Sequence, residues 1–446
     1  MTTMFRSGPL RTGLKACALL LAFALPARAE IAIQTVTSPG GITAWLIEDH
    51  NIPFTALEIR FRGGTSLDDP AKRGAVNLMT AVIEEGTGDL DSVAFARARD
   101  SLAASFSFGS DEDAISVSAR FLTENRDQAL DLLRRALVEP AFDQPSLDRV
   151  RGQVLANIRS DSKDEGAIAS RAIRAMAFGD HPYGSSGDGT EASVQTLTRD
   201  DILAAHKAAL ARDRIYVAAS GDITAAELGP MLDVLLGGLP ATGAPLPGRA
   251  PMDLKGGVTI ETFPGPQATV IFGQAGIKRD DPDFFAATIL NEILGGGRFS
   301  ARLMSEVREK RGLTYGIGSY LLGYDQAEMV MGQFSSANGT VAQAIDVIRD
   351  EWRKMAAQGV TQAELSATQT YLTGSYPLRF DGNGPIASIL VGMQMIGLTS
   401  DYPKTRNDKV NAVTLADVQR VAAGLFREGD LRFIVVGAPE GLVADQ

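Results

Sequence analysis

The side chains that most often carry out catalysis are scarce in this sequence. It has three histidines, His50, His181 and His206, and one cysteine, Cys17. No two histidines share the spacing that places two imidazoles on one helix face, and a lone cysteine builds neither a disulfide nor a cysteine-rich zinc site. We expect His50 in an exposed loop, His181 capping or packing a turn, and His206 packed or on a helix surface.

Two adjacent carboxylates, Glu84 and Glu85, stand near the end of a predicted helix. Consecutive residues on a helix do not face each other, so the two groups cannot grip one ligand together. They predict a solvated helix end. No glycine-rich nucleotide loop follows a predicted strand, and the sequence has neither a Walker A nor a GxSxG motif.

Composition narrows the class of protein. The chain has 446 residues, of which 45% are hydrophobic and 22% charged, as is typical of a globular protein with sizeable cores. Its formal net charge is −11. Because such a chain repels phosphate, nucleic acid and anionic membranes are poor partners for it.

Residues 1–29 predict a secretory signal peptide. A basic start precedes the apolar run at 16–25, and a small-residue A-x-A sequence ends at Ala29. The run is about half of the ~20 residues that a membrane-spanning helix needs, so we expect no membrane anchor. We expect this signal to direct export to a bacterial periplasm. Cleavage after Ala29 would then remove Cys17 with the signal.

The remaining sequence divides in two. A stretch rich in proline and glycine at 237–251 predicts a linker, because neither residue readily continues a helix or a central strand. It separates a predicted N-terminal domain at 30–236 from a predicted C-terminal domain at 252–446.

The two halves repeat one order of predicted elements. An alternating strand leads to an Asp-Pro pair and an apolar helix that stops at Gly86 or Gly295, and an apolar strand closes each half. Alternating strands mixed with helices predict an α+β fold of two homologous domains, each an antiparallel sheet covered by helices on one face. The corresponding segments are 56–62 and 268–274, 115–120 and 328–334, 125–138 and 340–357, and 214–222 and 432–439.

Several landmarks resemble a known family. They are the His-Pro-Tyr-Gly turn at 181–184, the strand end at 220–222, the glycine run at 295–297 and the segment VREKRGLTY at 307–315. In this order they resemble the M16 peptidases, which are pitrilysin-like enzymes, and in particular the mitochondrial-processing-peptidase type. The resemblance covers essentially all of 30–446 and implies a clam-shell arrangement of the two domains.

In that family, zinc is held by the inverted motif His-x-x-Glu-His and by a glutamate from a later helix. Positions i and i+4 share a helix face, so two imidazoles can grip one ion, and the motif glutamate polarises the bound water. Alignment on Gly86 puts Asn77, Thr80 and Ala81 at the motif and Asn157 at the later glutamate. A catalytic zinc needs about three strong donors, so we expect no zinc in this chain.

The second half keeps residues that the family uses on its substrate. The resemblance implies that Arg308 and Tyr315 hold the peptide backbone and stabilise the developing oxyanion. It also implies that Gly295, Gly296 and Gly297 form the substrate-binding loop of the non-catalytic subunit type. The structural alternatives are a charged helix end, strand packing of the tyrosine, and a simple helix cap at the glycines.

Loss of the zinc ligands with retention of Arg308 and Tyr315 predicts a non-catalytic subunit of a heterodimeric peptidase. A partner carrying His-x-x-Glu-His would hold the zinc, and this chain would act in trans on a peptide bound along a sheet edge. One alternative is a catalytically inert peptide-binding or structural protein, like the core subunits of respiratory complexes. Another is a stand-alone zinc peptidase with unorthodox ligands.

Overall fold

The structure, a computed structural model, describes residues 32–445. The predicted signal peptide lies outside the described residues. None of the helices in these residues combines the length and the apolar character that a membrane span requires. Two sheets organise this part of the chain, one in each half.

The first sheet has six strands. They are β1 Gln34–Thr37, β2 Thr43–Glu48, β3 Phe54–Arg62, β6 Ser105–Ser110, β7 Ala114–Leu122 and β8 Ile215–Gly221, while β4 Gly86–Thr87 and β5 Leu90–Asp91 form a separate ribbon. The order across the sheet is β1-β2-β8-β3-β7-β6. β2 and β8 run parallel, and the other neighbours are antiparallel.

The second sheet repeats the first without a counterpart of β1. Its strands are β9 Gly257–Thr262, β10 Gln267–Ala275, β11 Ile317–Gly323, β12 Glu328–Ala337 and β13 Arg432–Gly437, in the order β11-β12-β10-β13-β9. In this sheet β9 and β13 run parallel, as their counterparts β2 and β8 do in the first. The predicted repeat is confirmed in the strand order. The predicted antiparallel sheet is found in each half, except at one pair, where the long connection between the two strands permits a parallel return.

Helices surround both sheets. Those of the first half are α1 Ala75–Val82, α2 Ser92–Ser101, α3 Arg126–Val138, α4 Gln144–Asp161, α5 Glu165–Phe178, α6 Glu191–Thr196, α7 Arg199–Ala209 and α8 Ala225–Leu236. Those of the second half are α9 Phe284–Gly295, the π-helical turn Met304–Glu309, α10 Val341–Gln358, α11 Gln362–Ser375, α12 Asn383–Met395, α13 Tyr402–Asn411 and α14 Leu415–Leu425. α9 ends at Gly295 as predicted, whereas α1 ends at Val82 and Gly86 begins β4.

Alternation along the central strands decides which face enters each core. In β3, Leu57, Ile59 and Phe61 point toward the helices of the first half. Val270 and Phe272 of β10 do the same in the second half. Each half therefore has its own core. Full burial of one such side chain stabilises the fold by roughly 1.5–3 kcal/mol.

Each half also lends a helix to the opposite sheet. α5 packs on β10 and β13 of the second sheet, and α12 packs on β8 and β3 of the first. β13 shows why: Phe433 enters the core of its own half, while the next residue, Ile434, packs in a cluster with Ile173 of α5. The prediction that helices cover only one face is therefore wrong, since a strand that is apolar on both sides needs cover on both.

The predicted linker, residues 237–251, begins directly after α8 and contains no helix or strand. The carbonyl of Pro240 accepts the N–H of Arg212 at 2.9 Å, and the N–H of Ala250 donates to the carbonyl of Gln326 at 3.0 Å. The linker therefore bonds to both halves. The domain boundaries themselves stay predictions.

Candidate functional site

The helix that aligns with the family's zinc motif, α1, is fixed at its start by Asp68. The carboxylate of Asp68 accepts the N–H groups of Gly74 and Val76, each at 2.8 Å, and Arg73 lies 3.6 Å away. Burial raises the pKa of Asp68 to about 6. Hydrogen bonds to an ionised carboxylate are strong, so Asp68 fixes the first turn of α1.

The four positions aligned with zinc ligands do not fit the metal. Asn77 is half-buried, Ala81 is exposed and lacks a donor atom, and the hydroxyl of buried Thr80 donates to the carbonyl of Val76 at 2.8 Å. Asn157 is exposed on α4, which packs against α1. The helices α1 and α4 thus pack against each other, but the four aligned positions offer no strong zinc donor. In the described chain, no three His, Cys, Asp or Glu side chains gather as a metal site would require.

The carboxylates that follow α1 are committed to ion pairs. Glu84 pairs with Arg99 at 3.3 Å, and Glu85 pairs with Arg149. Burial raises the pKa of Glu84. The two groups turn to different partners, as their adjacent positions predict, but they are ion-paired and partly buried, and the expectation of a solvated helix end is wrong in that respect.

The three histidines lie at separate places, and each has a structural role. His50 is exposed and contacts Asp222 at 2.6 Å, a bond that raises the pKa of His50. His181 caps a short helical turn, and its Nε2 lies 3.1 Å from the carbonyl of Gly248. His206 is buried against a backbone carbonyl, and burial lowers its pKa. All three lie where the sequence predicts.

Arg308 lies in the π-helical turn and is partly exposed. It pairs with Glu309 at 3.2 Å, and its Cζ lies 4.8 Å from the centroid of the Phe299 ring. Its neighbours behave differently, since Lys310 and Arg311 both pair with Glu306. Arg308 is thus the residue of this cationic segment that stacks on an exposed ring.

Tyr315 points away from the protein. Its side chain is 89% exposed, and it has no hydrogen-bond partner among the described residues. The residues before it fix this direction, because Leu313 is buried and the hydroxyl of Thr314 donates to the carbonyl of Ser335 at 2.7 Å. Tyr315 therefore does not pack on a strand of its own chain. The role of Tyr315 toward a substrate stays a prediction.

The three glycines divide between packing and openness. A Cβ on Gly295 would lie 2.7 Å from the backbone nitrogen of Ser319, and one on Gly296 would collide with Glu292 of α9. A Cβ on Gly297 would meet nothing within 4 Å. Gly295 therefore lets the end of α9 approach β11 closely, whereas Gly297 faces open space.

A groove of about 610 Å³ lies beside these glycines on the second sheet. Gly295 and Gly297 form one side, and Tyr320, Gln333 and Ser335 contribute to the rest. Every residue along the groove is uncharged. It has the size of a small ligand site and lies next to the segment that carries Tyr315.

Sequence reasoning singled out Tyr315 in this region but missed Tyr320 and Tyr371. Among the described residues, the exposed aromatic side chains are Phe299, Tyr315, Tyr320 and Tyr371, and all of them follow the glycine run along the chain. Alternation places Tyr320 on the face of β11 opposite the buried Ser319. An aromatic residue at an outward strand position was the signal that could have identified Tyr320.

Comparison with known proteins gives the family. Residues 43–191 match the family described as Insulinase (Peptidase family M16), and residues 196–372 match the Peptidase M16 inactive domain. These matches together span most of the chain and both of its halves. The chain belongs to peptidase family M16, as its landmarks predict.

Relatives differ in how they are described. A non-peptidase homolog, YmxG of Helicobacter pylori, is 25% identical over 87% of this chain and 90% of its own. An uncharacterized zinc protease of Streptomyces coelicolor is 27% identical over 87% of this chain and 86% of its own. The crystal structure of a peptidase M16 inactive domain from Pseudomonas fluorescens superposes with a TM-score of 0.85 at 28% identity, covering 93% of this chain and 99% of that one. The predicted α+β fold is confirmed.

Proposed function

We propose that this chain is the non-catalytic subunit of a heterodimeric zinc peptidase of the periplasm. The observation that carries the proposal is a contrast between the halves. The first half has no strong donor at the four positions where the family binds zinc, while the second half carries Arg308, which is partly exposed, and Tyr315, which is 89% exposed. Similarity to a non-peptidase homolog and to a solved inactive domain supports a non-catalytic role.

In the proposed complex, the partner carries His-x-x-Glu-His and the zinc that activates water. Arg308 supplies a permanent positive charge, and the phenol of Tyr315 donates one hydrogen bond in a fixed direction. Both act on the peptide carbonyl as it develops negative charge. Tyr315 gives up no internal hydrogen bond to do so, since its hydroxyl has no partner within the described chain.

The peptide lies extended along a sheet edge, with its backbone supplying most of the hydrogen bonds. β6 and β11 are edge strands of the two sheets. The edge of β11 is partly closed, because the side-chain amide of Asn291 donates to the carbonyl of Ser319 at 3.0 Å. β1 and β9 are the opposite edges. Of β6 and β11, we propose β6 for peptide addition, with the loop of Gly295, Gly296 and Gly297 approaching the peptide from the second half.

A pull-down of the tagged mature chain from native periplasm tests the proposal. We expect a similar-sized protein with His-x-x-Glu-His to co-purify at near one-to-one stoichiometry and to gain peptidase activity from the association. Recovery of the chain alone or as a homodimer contradicts the heterodimer. That result would favour the catalytically inert peptide-binding or structural alternative.

A further inference from the structure

Phe299 contacts Arg308 without being needed for the core. Its ring is 66% exposed, so it gains little from burial. The Cζ of Arg308 nevertheless lies over the ring, 4.8 Å from its centroid. A cation at this distance from an aromatic face is attracted by the ring quadrupole, which makes Arg308 the partner that accounts for the position of Phe299.

The preceding residue holds the loop in the orientation that this contact requires. Arg298 donates from Nε to Glu292 at 3.0 Å and from Nη2 to Thr368 at 3.1 Å, and its Cζ lies 4.5 Å from the centroid of the Tyr371 ring. These contacts anchor Arg298 to α9 and α11. The next side chain, Phe299, is left at the surface.

The chain on either side of this pair is fixed as well. Gly295 fits against the backbone of Ser319, while Ala301 and Leu303 are buried in the second half. The loop between them is short, so the ring of Phe299 has a defined position beside the π-helical turn that carries Arg308. The contact is therefore built into the loop.

We propose that Phe299 is a positioning residue for Arg308, an inference that rests on the proposed function of that arginine. Stacking holds the flat face of the guanidinium and leaves its N–H edge available for a peptide carbonyl. The pair with Glu309 restrains one end of the guanidinium at 3.2 Å. Phe299 and Glu309 together hold Arg308 ready before the peptide arrives.

The contact is tested first on the mature chain alone. In protein labelled with nitrogen-15 arginine, the Nε–Hε resonance of Arg308 is identified by its loss in Arg308→Lys. The ring current of Phe299 should displace this resonance, and Phe299→Leu should return it toward the position of a free arginine. A resonance that does not respond to Phe299→Leu overturns the inference.

The functional consequence is tested in the reconstituted pair. Phe299→Leu should lower kcat about threefold to fivefold, as loss of an exposed cation–π contact predicts, with KM little changed. Phe299→Tyr keeps the aromatic face and should retain the rate. Leu378→Ala, which shortens another exposed apolar side chain of the second half, is the matched control and should leave kcat unchanged.

A double substitution separates positioning from any direct action of the ring. In an Arg308→Ala background, Phe299→Leu should cause no further loss of rate. A full additional loss there overturns the positioning role. If Arg308→Ala has no effect by itself, the proposed function of the arginine fails, whereas a loss with Arg308→Ala but none with Phe299→Leu contradicts only the role of Phe299.

Discussion

The carboxylate of Asp113 accepts the backbone N–H of Asp325 at 2.9 Å and also the hydroxyl proton of Tyr183. Asp113 lies in the turn between β6 and β7, and Asp325 lies in the turn between β11 and β12. The hydroxyl of Tyr183 in turn accepts the N–H of Gln326 at 3.2 Å. The tips of two edge hairpins, one from each half, therefore meet at a single carboxylate.

Other charged groups surround this junction. Asp325 pairs with Arg62 at 3.1 Å, and Glu112, next to Asp113, pairs with Arg174 at 2.5 Å. Burial raises the pKa of Asp113 to about 6, against the opposing effect of the hydrogen bond from Tyr183. Burial also raises the pKa of Asp325 and, on the same turn as Asp113, that of Asp111. Asp113 at the junction therefore takes up a proton at a higher pH than an ordinary aspartate does.

This arrangement predicts a pH dependence of stability. Because the pKa of Asp113 in the folded state lies above its ordinary value, its contribution to the free energy of unfolding increases as pH falls through about 6 and is lost as pH rises through it. Asp113→Asn removes that titration. Between about pH 7.5 and about pH 5, wild type should gain about 1–2 kcal/mol relative to the variant.

Urea denaturation at each pH measures this difference. Asp381→Asn, at an exposed carboxylate away from the junction, is the control and should follow wild type. Parallel pH profiles for wild type and Asp113→Asn would show that the carboxylate does not titrate as the junction requires.

Much of the fold could be predicted because periodicity reports burial directly. The strand predicted at 56–62 is β3, and the helix predicted at 340–357 is α10. Periodicity does not report which surface a buried face meets. The exchange of α5 and α12 between the halves depends on distant surfaces, and no local pattern contains that information.

The candidate site, like the fold, could be predicted from the sequence only in part. The missing donors at Asn77, Thr80 and Ala81 are evident from residue types alone, because the side chains themselves lack zinc-binding groups. The contact between Phe299 and Arg308 could not be predicted from residue types. It depends on the anchoring of the intervening loop, which only the three-dimensional arrangement reveals.

The zinc content of the mature chain gives a second prediction. Purified without its partner, the chain should contain no stoichiometric zinc and should cleave no peptide, because the aligned positions lack strong donors. Elemental analysis and a peptide-cleavage assay measure both properties. One zinc per chain after dialysis would falsify this prediction and favour a stand-alone peptidase.

A variant provides the positive control for that experiment. Asn77→His, Thr80→Glu, Ala81→His and Asn157→Glu together restore the donor set of the family on α1 and α4. Since these two helices still pack against each other, the fourfold variant should bind zinc with the expected one-to-one stoichiometry. Zinc binding by this variant would show that side-chain chemistry, and not the positions of the helices, prevents binding in the natural chain.

The glycine run gives a third prediction, in which two neighbouring positions separate packing from function. Gly295→Ala should destabilise the fold by about 1–3 kcal/mol, because its Cβ would press against Ser319. Gly297→Ala should leave the free energy of unfolding nearly unchanged, since its Cβ meets nothing. Urea denaturation measures both. Equal destabilisation by the two variants would contradict the division between a packed and an open glycine.

The fourth prediction concerns Arg308 and Tyr315 in the reconstituted pair. Arg308→Ala or Tyr315→Phe should each lower kcat by on the order of 100-fold, as loss of one oxyanion donor does elsewhere. Neither variant should dissociate the pair, because the proposed role of each group is toward the peptide and not toward the partner. Turnover is measured with one peptide at saturation, and association is measured by analytical ultracentrifugation.

Arg311→Ala is the matched control for this experiment. Arg311 lies in the same cationic segment, but its guanidinium is held by Glu306 at 2.8 Å and is not stacked near the glycine run. The control should retain turnover, because removing Arg311 leaves Arg308, Tyr315 and the exposed ring of Phe299 in place. Equal losses from Arg308→Ala and Arg311→Ala would indicate a general effect of positive charge. Unchanged turnover in both Arg308→Ala and Tyr315→Phe would show that Arg308 and Tyr315 do not act on the peptide.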